Sequence, residues 1–289
     1  MSIKPVVVGV DGSESALRAV RWAAMEAAAR KIPLRIVHAC MPVDGRSPSP
    51  MPPSMADTVV AAGRQWLTIA ADVAKETWDD VSTELVREYE VDALIRGSQD
   101  AQLMVLGARG HGGFAELLIG SVAVAVSARG HCPVVVVQGA DVDRTGKPIV
   151  VGVDGSPASE GAIAFAFDEA SRRDVPLVAV HTWSDPVTAS AFAMAPFAVD
   201  WYEVRTEEEQ LLAERVAGWQ EKYPNVRVQR VVTHDHPART LIDQARNAQL
   251  VVVGSRGRGP VAGMLLGSTS QALLHHAPCP VAVVRPDEP

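Results

Sequence analysis

An eight-residue segment that occurs twice constrains this chain more than any other feature. Val6-Val7-Val8-Gly9-Val10-Asp11-Gly12-Ser13 returns 143 residues further on as Ile149-Val150-Val151-Gly152-Val153-Asp154-Gly155-Ser156, with only its first residue changed. The same spacing separates His38 from His181, then lengthens to 147 between Gly107 and Gly254 and stays there between Cys132-Pro133 and Cys279-Pro280. Two domains of one plan therefore follow each other, differing by four residues near their middles. A period this long is a whole-domain duplication rather than a solenoid, whose units run to about 20–50 residues. The polar stretch from Gly139 to Pro148 marks the joint, which gives an expected division into residues 1–140, a linker at 141–147, and residues 148–289. A chain of 289 residues provides each copy with enough length for its own core.

Within each copy, short apolar runs bounded by Gly, Pro or Asp alternate with longer helical patterns, which implies βαβ units and a parallel sheet. In the first copy a strand at 6–10 leads to a helix carrying Leu17, Val20, Ala24 and Ala28, which ends near Lys31-Ile32-Pro33. The second copy repeats this with Ile163, Phe167 and Ala170 ahead of Val175-Pro176. A second strand follows at 34–39 or 177–181, then a helix around 64–75 or 207–219, and a third strand near 82–89 or 226–233. A fourth apolar run (103–106 or 250–253), a last helix (121–128 or 268–275) and a final run (134–137 or 281–284) complete each copy. The variable segments 41–55, with five prolines, and 185–200 read as loops. The expected fold class is α/β: two tandem doubly wound domains, each a five-stranded parallel sheet with helices on both faces. Ligands of such sheets sit at the carboxyl ends of the strands, beside a topological switch point. The first and fourth strands end in the two most repeated motifs, so if they are neighbours those motifs share one crevice.

The second of those motifs is a glycine pattern. Gly107-Ala108-Arg109-Gly110, nine residues and Gly120-Ser121 match Gly254-Ser255-Arg256-Gly257, nine residues and Gly267-Ser268. A strand, a Gly-rich turn and a helix N-terminus together present free N–H donors to an anion, and residues without a Cβ let backbone approach it closely. Ser121 and Ser268, the latter followed by Thr269, either cap the last helix or donate to a phosphate oxygen. Arg109 and Arg256, with His111 and Arg258, either lean over the phosphates or are solvated loop charges. Gly110-His111-Gly112-Gly113-Phe114-Ala115 and Gly257-Arg258-Gly259-Pro260-Val261-Ala262 also satisfy a short dinucleotide fingerprint, but that fingerprint belongs after the first strand with an acid about 20 residues on. Neither condition is met. The only Gly-Lys pair is Gly146-Lys147, followed by Pro148, so no Walker-type P-loop is encoded.

Asp11 and Asp154 stand where a first strand gives way to a helix. They serve either as N-cap or Asx-turn residues, with Ser13 and Ser156 as rival caps, or as carboxylates for ribose hydroxyls or a nucleotide-bound magnesium. Gly9 and Gly152 would let a base or ribose pack against bare backbone. His38 and His181 read as satisfied structural histidines near the crevice. His234-Asp235-His236 and His275-His276 fit no standard zinc spacing, and no metal site is expected. No nucleophile elbow and no Cys with a repeated His occurs. Cys40, Cys132 and Cys279 read as small buried apolar residues of a reducing compartment. A net charge of −7 argues against a nucleic-acid or anionic-membrane surface. No apolar stretch approaches the roughly 20 residues that span a bilayer, and the expected location is cytoplasmic.

The Gly-x2-Gly-x9-Gly-Ser pattern, joined to Gly-Val-Asp-Gly-Ser at the head of each copy, closely resembles the universal stress protein family, in its tandem two-domain actinobacterial form. The similarity covers essentially the whole chain. In the ATP-binding branch of the family it implies an adenine nucleotide α-hydrolase-like sheet with the glycine motif around the triphosphate. By that resemblance Gly9 and Asp11 contact adenosine, Ala39 and Leu106 border the base, and Gly107, Ala108, Arg109, Gly110, Gly120 and Ser121 hold phosphates. In the second copy Gly152, Asp154, Val253, Gly254, Ser255, Arg256, Gly257, Gly267, Ser268 and Thr269 correspond. The loops depart from each other at His111-Gly112-Gly113 against Arg258-Gly259-Pro260, so equal affinities do not follow. The resemblance further implies pairing through the last strands at 134–137 and 281–284, here within one chain, with further association between chains left open. Two functions fit: an ATP-binding regulatory protein, with or without Mg2+, that signals to a protein partner in stress response or growth control, and a slow ATPase or phosphotransferase using the same pockets.

Overall fold

Runs of valine build the centre of the sheet. β1 (Val6–Gly9), β4 (Leu103–Gly107) and β5 (Val134–Val137) of the first half, with β6 (Ile149–Gly152), β9 (Leu250–Gly254) and β10 (Val281–Val284) of the second, are buried along nearly their whole length. Continuous apolar sequence, rich in valine outside β4, suits strands covered on both faces. The computed structural model describes residues 3–41, 53–110, 119–139, 144–183, 201–257 and 266–286. β2 (Leu34–Cys40), β3 (Val81–Arg87), β7 (Leu177–Thr182) and β8 (Val228–Thr233) complete one ten-stranded sheet, in the order β3-β2-β1-β4-β5-β10-β9-β6-β7-β8. Each half is parallel, and the halves join where β5 and β10 pair antiparallel, Val134 opposite Val283 and Val136 opposite Val281. That is the pairing of last strands within one chain that the family resemblance implies. The chain steps outward from β1 to β2 and β3, then crosses back to lay β4 on the other side of β1, so the switch point falls between β1 and β4.

One face of the sheet is covered by α1 (Glu14–Arg30), α2 (Pro53–Lys75), α5 (Pro157–Arg173) and α6 (Trp201–Lys222). The other carries α3 (Glu90–Gly97), α4 (Ser121–Arg129), α7 (Pro237–Ala245) and α8 (Ser268–His276). Val6 and Val8 face the first layer and Val7 the second, as strand alternation requires. α3 and α7 are absent from the sequence reading, which runs from the third strand to the fourth without a helix. Each is short and polar, with a buried stripe of only Ala93 and Leu94 or Thr240, Leu241 and Ala245. α2 and α6 begin well before the expected 64 and 207; Pro53 opens α2, a residue that a first helical turn accepts because its missing N–H has no partner there anyway. Residues 42–52 and 184–200, the bulk of the two expected loops, lie outside the described residues.

α1 and α5 end alike, on Lys31 and Asp174 with φ of 54° and 52°. In each the following amide reaches back to close the helix, Ile32 N–H to Ala27 O and Val175 N–H to Ala170 O. Where these helices meet across the seam, four charged side chains related by the same 143-residue offset are packed together. Glu26 and Glu169 are 2% and 0% exposed. Arg30 bonds both carboxylates, and Arg173 donates to Glu26 at 2.5 Å and to Glu169 at 3.0 Å. Arg173 also lies over the Trp22 ring and Arg30 over Phe165. Because they share both guanidiniums, the two acids titrate as one system. Burial, reinforced by the Glu26 charge, pushes the Glu169 carboxyl up to about 7. Glu26 is equally dehydrated, yet Arg173 and Arg30 hold it below its ordinary value. The sequence reading passed over this cluster, although its signal, Glu and Arg four apart at matching positions of both copies, is present.

Candidate nucleotide-binding clefts

The Asp-Gly-Ser turn after β1 is built by hydrogen bonds. Asp11 Oδ1 accepts from the Ser13 amide at 3.0 Å, an Asx turn, and Gly12 takes a φ of +87° that strongly favours glycine. Ser13 is the N-cap of α1, its hydroxyl accepting from Ala16 N–H at 3.1 Å. The second copy is alike: Asp154 Oδ1 accepts from Ser156 N–H at 2.9 Å, Gly155 has a φ of +75°, and Ser156 caps α5 by accepting from Ser159 N–H. Of the roles left open by the sequence, capping thus falls to the serines, while each aspartate uses one oxygen for the turn. The other oxygen faces the glycine motif: a Cβ built on Gly110 would stand 2.4 Å from Asp11 Oδ2, and one on Gly257 2.6 Å from Asp154 Oδ2. The two repeated motifs do converge, because β1 pairs with β4 and β6 with β9.

The glycines of the motif divide by the neighbours they meet. At Gly107 a Cβ would lie 2.7 Å from the Ser15 carbonyl carbon, and at Gly254 2.9 Å from that of Ala158. These two positions are accounted for by the close approach of α1 or α5 to the sheet. Gly9 and Gly152 behave similarly. Leu106 and Leu94 fill the space at Gly9, and Leu241 and Val253 the space at Gly152, so the bare backbone expected there is covered by side chains. Gly120 and Gly267 differ, having nothing nearer than 3.4 Å in the Cβ direction. They are the N-caps of α4 and α8, extended at φ −75° and −67°, and neither helix has a side-chain cap. Ser121 and Ser268 therefore do not cap; they are the first helical residues and are exposed, with half-buried Thr269 next.

Each glycine motif is closed on itself. Gly120 N–H donates to Ala108 O at 2.7 Å and Gly267 N–H to Ser255 O at 2.8 Å, so the helix start is pinned to the turn after the strand. The first amides of α4 and α8, at Ser121 to Ala123 and Ser268 to Ser270, have no intrahelical acceptor and carry the positive end of the helix dipole. Exposed Arg109, Gly110, Arg256 and Gly257 flank them. A further stitch ties the two motifs together, Ser13 Oγ donating to Arg109 O at 3.3 Å and Ser156 Oγ to Arg256 O at 3.5 Å. Only the first copy adds a bond from Arg109 N–H to Ser15 Oγ, at 3.2 Å. His111, Gly112, Gly113, Arg258, Gly259 and Pro260 fall outside the described residues. Ala39, Leu106, Ala108, Val253 and Ser255 are buried.

The sequence profile of the universal stress protein family matches residues 2–138 and again 146–285. The chain belongs to the universal stress protein family. A universal stress protein of Mycobacterium tuberculosis is 45% identical over 97% of this chain and 96% of that relative. Another, from Mycolicibacterium smegmatis, is 43% identical over 97% of both. Among solved structures, a universal stress protein from Archaeoglobus fulgidus superimposes with a TM-score of 0.72 over 98% of each chain at 19% identity, which bears on the fold alone. Both universal stress protein domains keep their repeated histidine at the end of the second strand. His38 and His181 are buried and bond the carbonyls of Val10 and Val153 through Nδ1 at 2.8 and 2.7 Å, as structural residues do. Their other nitrogens differ: His181 Nε2 meets Glu208 at 2.8 Å, while His38 lies edge-on to Trp66. No helix among the described residues is long and apolar enough to cross a membrane.

Proposed function

We propose that this universal stress protein binds ATP, one molecule in each half, with or without Mg2+, and acts as a regulatory nucleotide binder in stress response or growth control. The observation that carries the reading is the meeting, twice in the chain, of an aspartate oxygen, an exposed glycine turn and an uncapped helix N-terminus. That set suits a nucleoside polyphosphate: amides at the start of α4 or α8 and the Ser121 or Ser268 hydroxyl for phosphate oxygens, and the Asp11 or Asp154 carboxylate for a ribose hydroxyl or a phosphate-bound magnesium. Ala39 and Leu106 would border the base in the first cleft. Occupancy would favour one arrangement of the cleft loops and so be read by a cytoplasmic protein partner or by a second copy of the chain.

Mass spectrometry of small molecules released by denaturing the purified protein, with calorimetric titration of ATP and Mg2+, tests this. Two sites per chain are expected, with Asp11→Ala and Asp154→Ala each removing one. An unliganded preparation that takes up no ATP at millimolar concentration refutes the reading. Turnover of ATP that disappears with those same substitutions would instead assign the clefts to a slow ATPase.

A further inference from the structure

We infer that the seam between the two halves, at the end of the strands opposite the glycine turns, is a binding site for one small aromatic anion per chain. A cavity of about 230 Å³ lies there between the C-terminal turns of α1 and α5 and the linker. Its floor is one stripe of α1, Trp22, Met25 and Ala29, at helical spacing. Met25, a large apolar side chain of this stripe, is 38% exposed. Arg144, Arg172 and Arg173 stand around it, and the Glu26 carboxylate, itself paired with Arg30 and Arg173, also lines it together with Thr145 and Gln249.

The charges at this rim do not balance. Arg172 is matched by Asp168, and Arg173 by Glu26 and Glu169. Arg144 has no carboxylate among the described residues. Its Nη1 donates to the carbonyls of Ala245, Arg246 and Ala248, and its Nη2 to that of Pro278 at 2.6 Å, while Nε is buried without a partner. A guanidinium charge with no carboxylate of its own beside the Trp22, Met25 and Ala29 stripe asks for a ligand that carries negative charge and a flat body. An apolar cavity of ~150 Å³ already takes a benzene ring, so this one has room for a ring bearing a carboxylate. The stripe is not repeated by the duplication: Phe165, Asp168 and Arg172 stand 143 positions after Trp22, Met25 and Ala29.

Calorimetry and saturation-transfer NMR on the full chain, with benzoate and the neutral benzyl alcohol as probes, decide the matter. Benzoate is expected to bind once per chain with a dissociation constant of about 1 mM, and benzyl alcohol about tenfold more weakly. Ala29 is exposed, so Ala29→Glu leaves the core intact while setting a negative charge against the probe. It should weaken benzoate about tenfold, with Ala29→Gln, of equal bulk, doing much less. Circular dichroism checks that both variants fold. Absence of saturable benzoate binding, equal affinity for benzyl alcohol, or indifference to Ala29→Glu each overturns the proposal.

Discussion

Replacing Arg173 with methionine tests whether the charged cluster at the seam behaves as one unit. The substitution removes contacts at 2.5 and 3.0 Å to two carboxylates that are 2% and 0% exposed, leaving both acids to Arg30 alone. At an effective dielectric of about 20 each contact is worth about 6 kcal/mol gross. The dehydration of the guanidinium that the wild type bears offsets several kcal/mol of that sum, so a net loss of about 3–5 kcal/mol is expected, the range for breaking one side of a buried pair. Urea unfolding followed by circular dichroism measures it. The pH dependence gives a second, independent reading. In the folded protein the Glu169 carboxyl is raised to about 7 from an ordinary 4.5, so the folded state retains a proton that the unfolded state has released. Its stabilising contribution is complete below about pH 4.5 and is lost as pH rises through about 7. Arg173 opposes that rise, so the deficit of the variant should be larger at pH 8 than at pH 5.5. Both values lie above the range in which Glu26, held low, loses its own contribution as pH falls. Adding Glu169→Gln restores charge balance, and the double variant should recover about 1–3 kcal/mol over the sum of the singles. A loss for Arg173→Met below about 1 kcal/mol, together with additive behaviour in the double, would refute the account.

The glycines of the motif should separate in the same assays. Gly107→Ala drives a Cβ into the backbone of α1 and is expected to cost about 1–3 kcal/mol of stability. Gly120→Ala, with open space and a negative φ, should leave stability within about 1 kcal/mol yet lower ATP affinity at least about tenfold, measured by calorimetry. Lys31→Gly and Asp174→Gly relieve left-handed residues at the ends of α1 and α5 and should each stabilise by up to about 1 kcal/mol in thermal or urea unfolding. The thiols of Cys132 and Cys279, pushed up to about 12 by burial, should react with a disulfide reagent only as fast as the protein opens, and at once in urea.

Repetition made much of this architecture readable before any coordinates. The second copy's last helix contains no alternating valines, and that settled the ambiguous segment at 121–128 of the first, which is indeed helical from Ser121 to Arg129. The convergence of Asp11 with Gly110 was legible only on the condition that the first and fourth strands are neighbours, and the pairing of β1 with β4 meets it. What could not be read was which neighbour each glycine serves. Gly107 and Gly120 look alike in sequence, yet one admits helix α1 at Ser15, far back along the chain, while the other caps α4 and meets only the nearby turn at Ala108 to Gly110. α3 and α7 escaped because eight or nine residues with two or three buried positions give too little periodicity to separate from a loop. The cluster at the seam escaped for another reason. Glu and Arg four apart usually read as a solvated face, and only the crossing of α1 with α5 buries them.

The position of the seam follows from the side chains of the strand edges. β5 and β10 are valine or alanine at every position and are buried throughout, so a half left alone would present an unpaired apolar edge, the usual template for uncontrolled pairing. Antiparallel pairing of β5 with β10 removes both edges at once, and the linker keeps the two strands at high effective concentration. The outer strands are of opposite character. β3 carries exposed Ser82, Thr83 and Glu84, and β8 exposed Gln229 and Arg230, which discourage an eleventh strand at either end. The halves are also tied by α1 and α5 through the Glu26, Arg30, Glu169 and Arg173 cluster, so separating them would break a strand pair and the two cross-seam ion pairs, Arg30 with Glu169 and Arg173 with Glu26. Each cleft sits two strands from this rigid joint, with the switch point β1/β4 on one side and β6/β9 on the other. Differences between the clefts therefore arise from their own neighbours, such as the Ser15 hydroxyl on the Arg109 amide, where the second copy has Ala158, rather than from how the halves are docked.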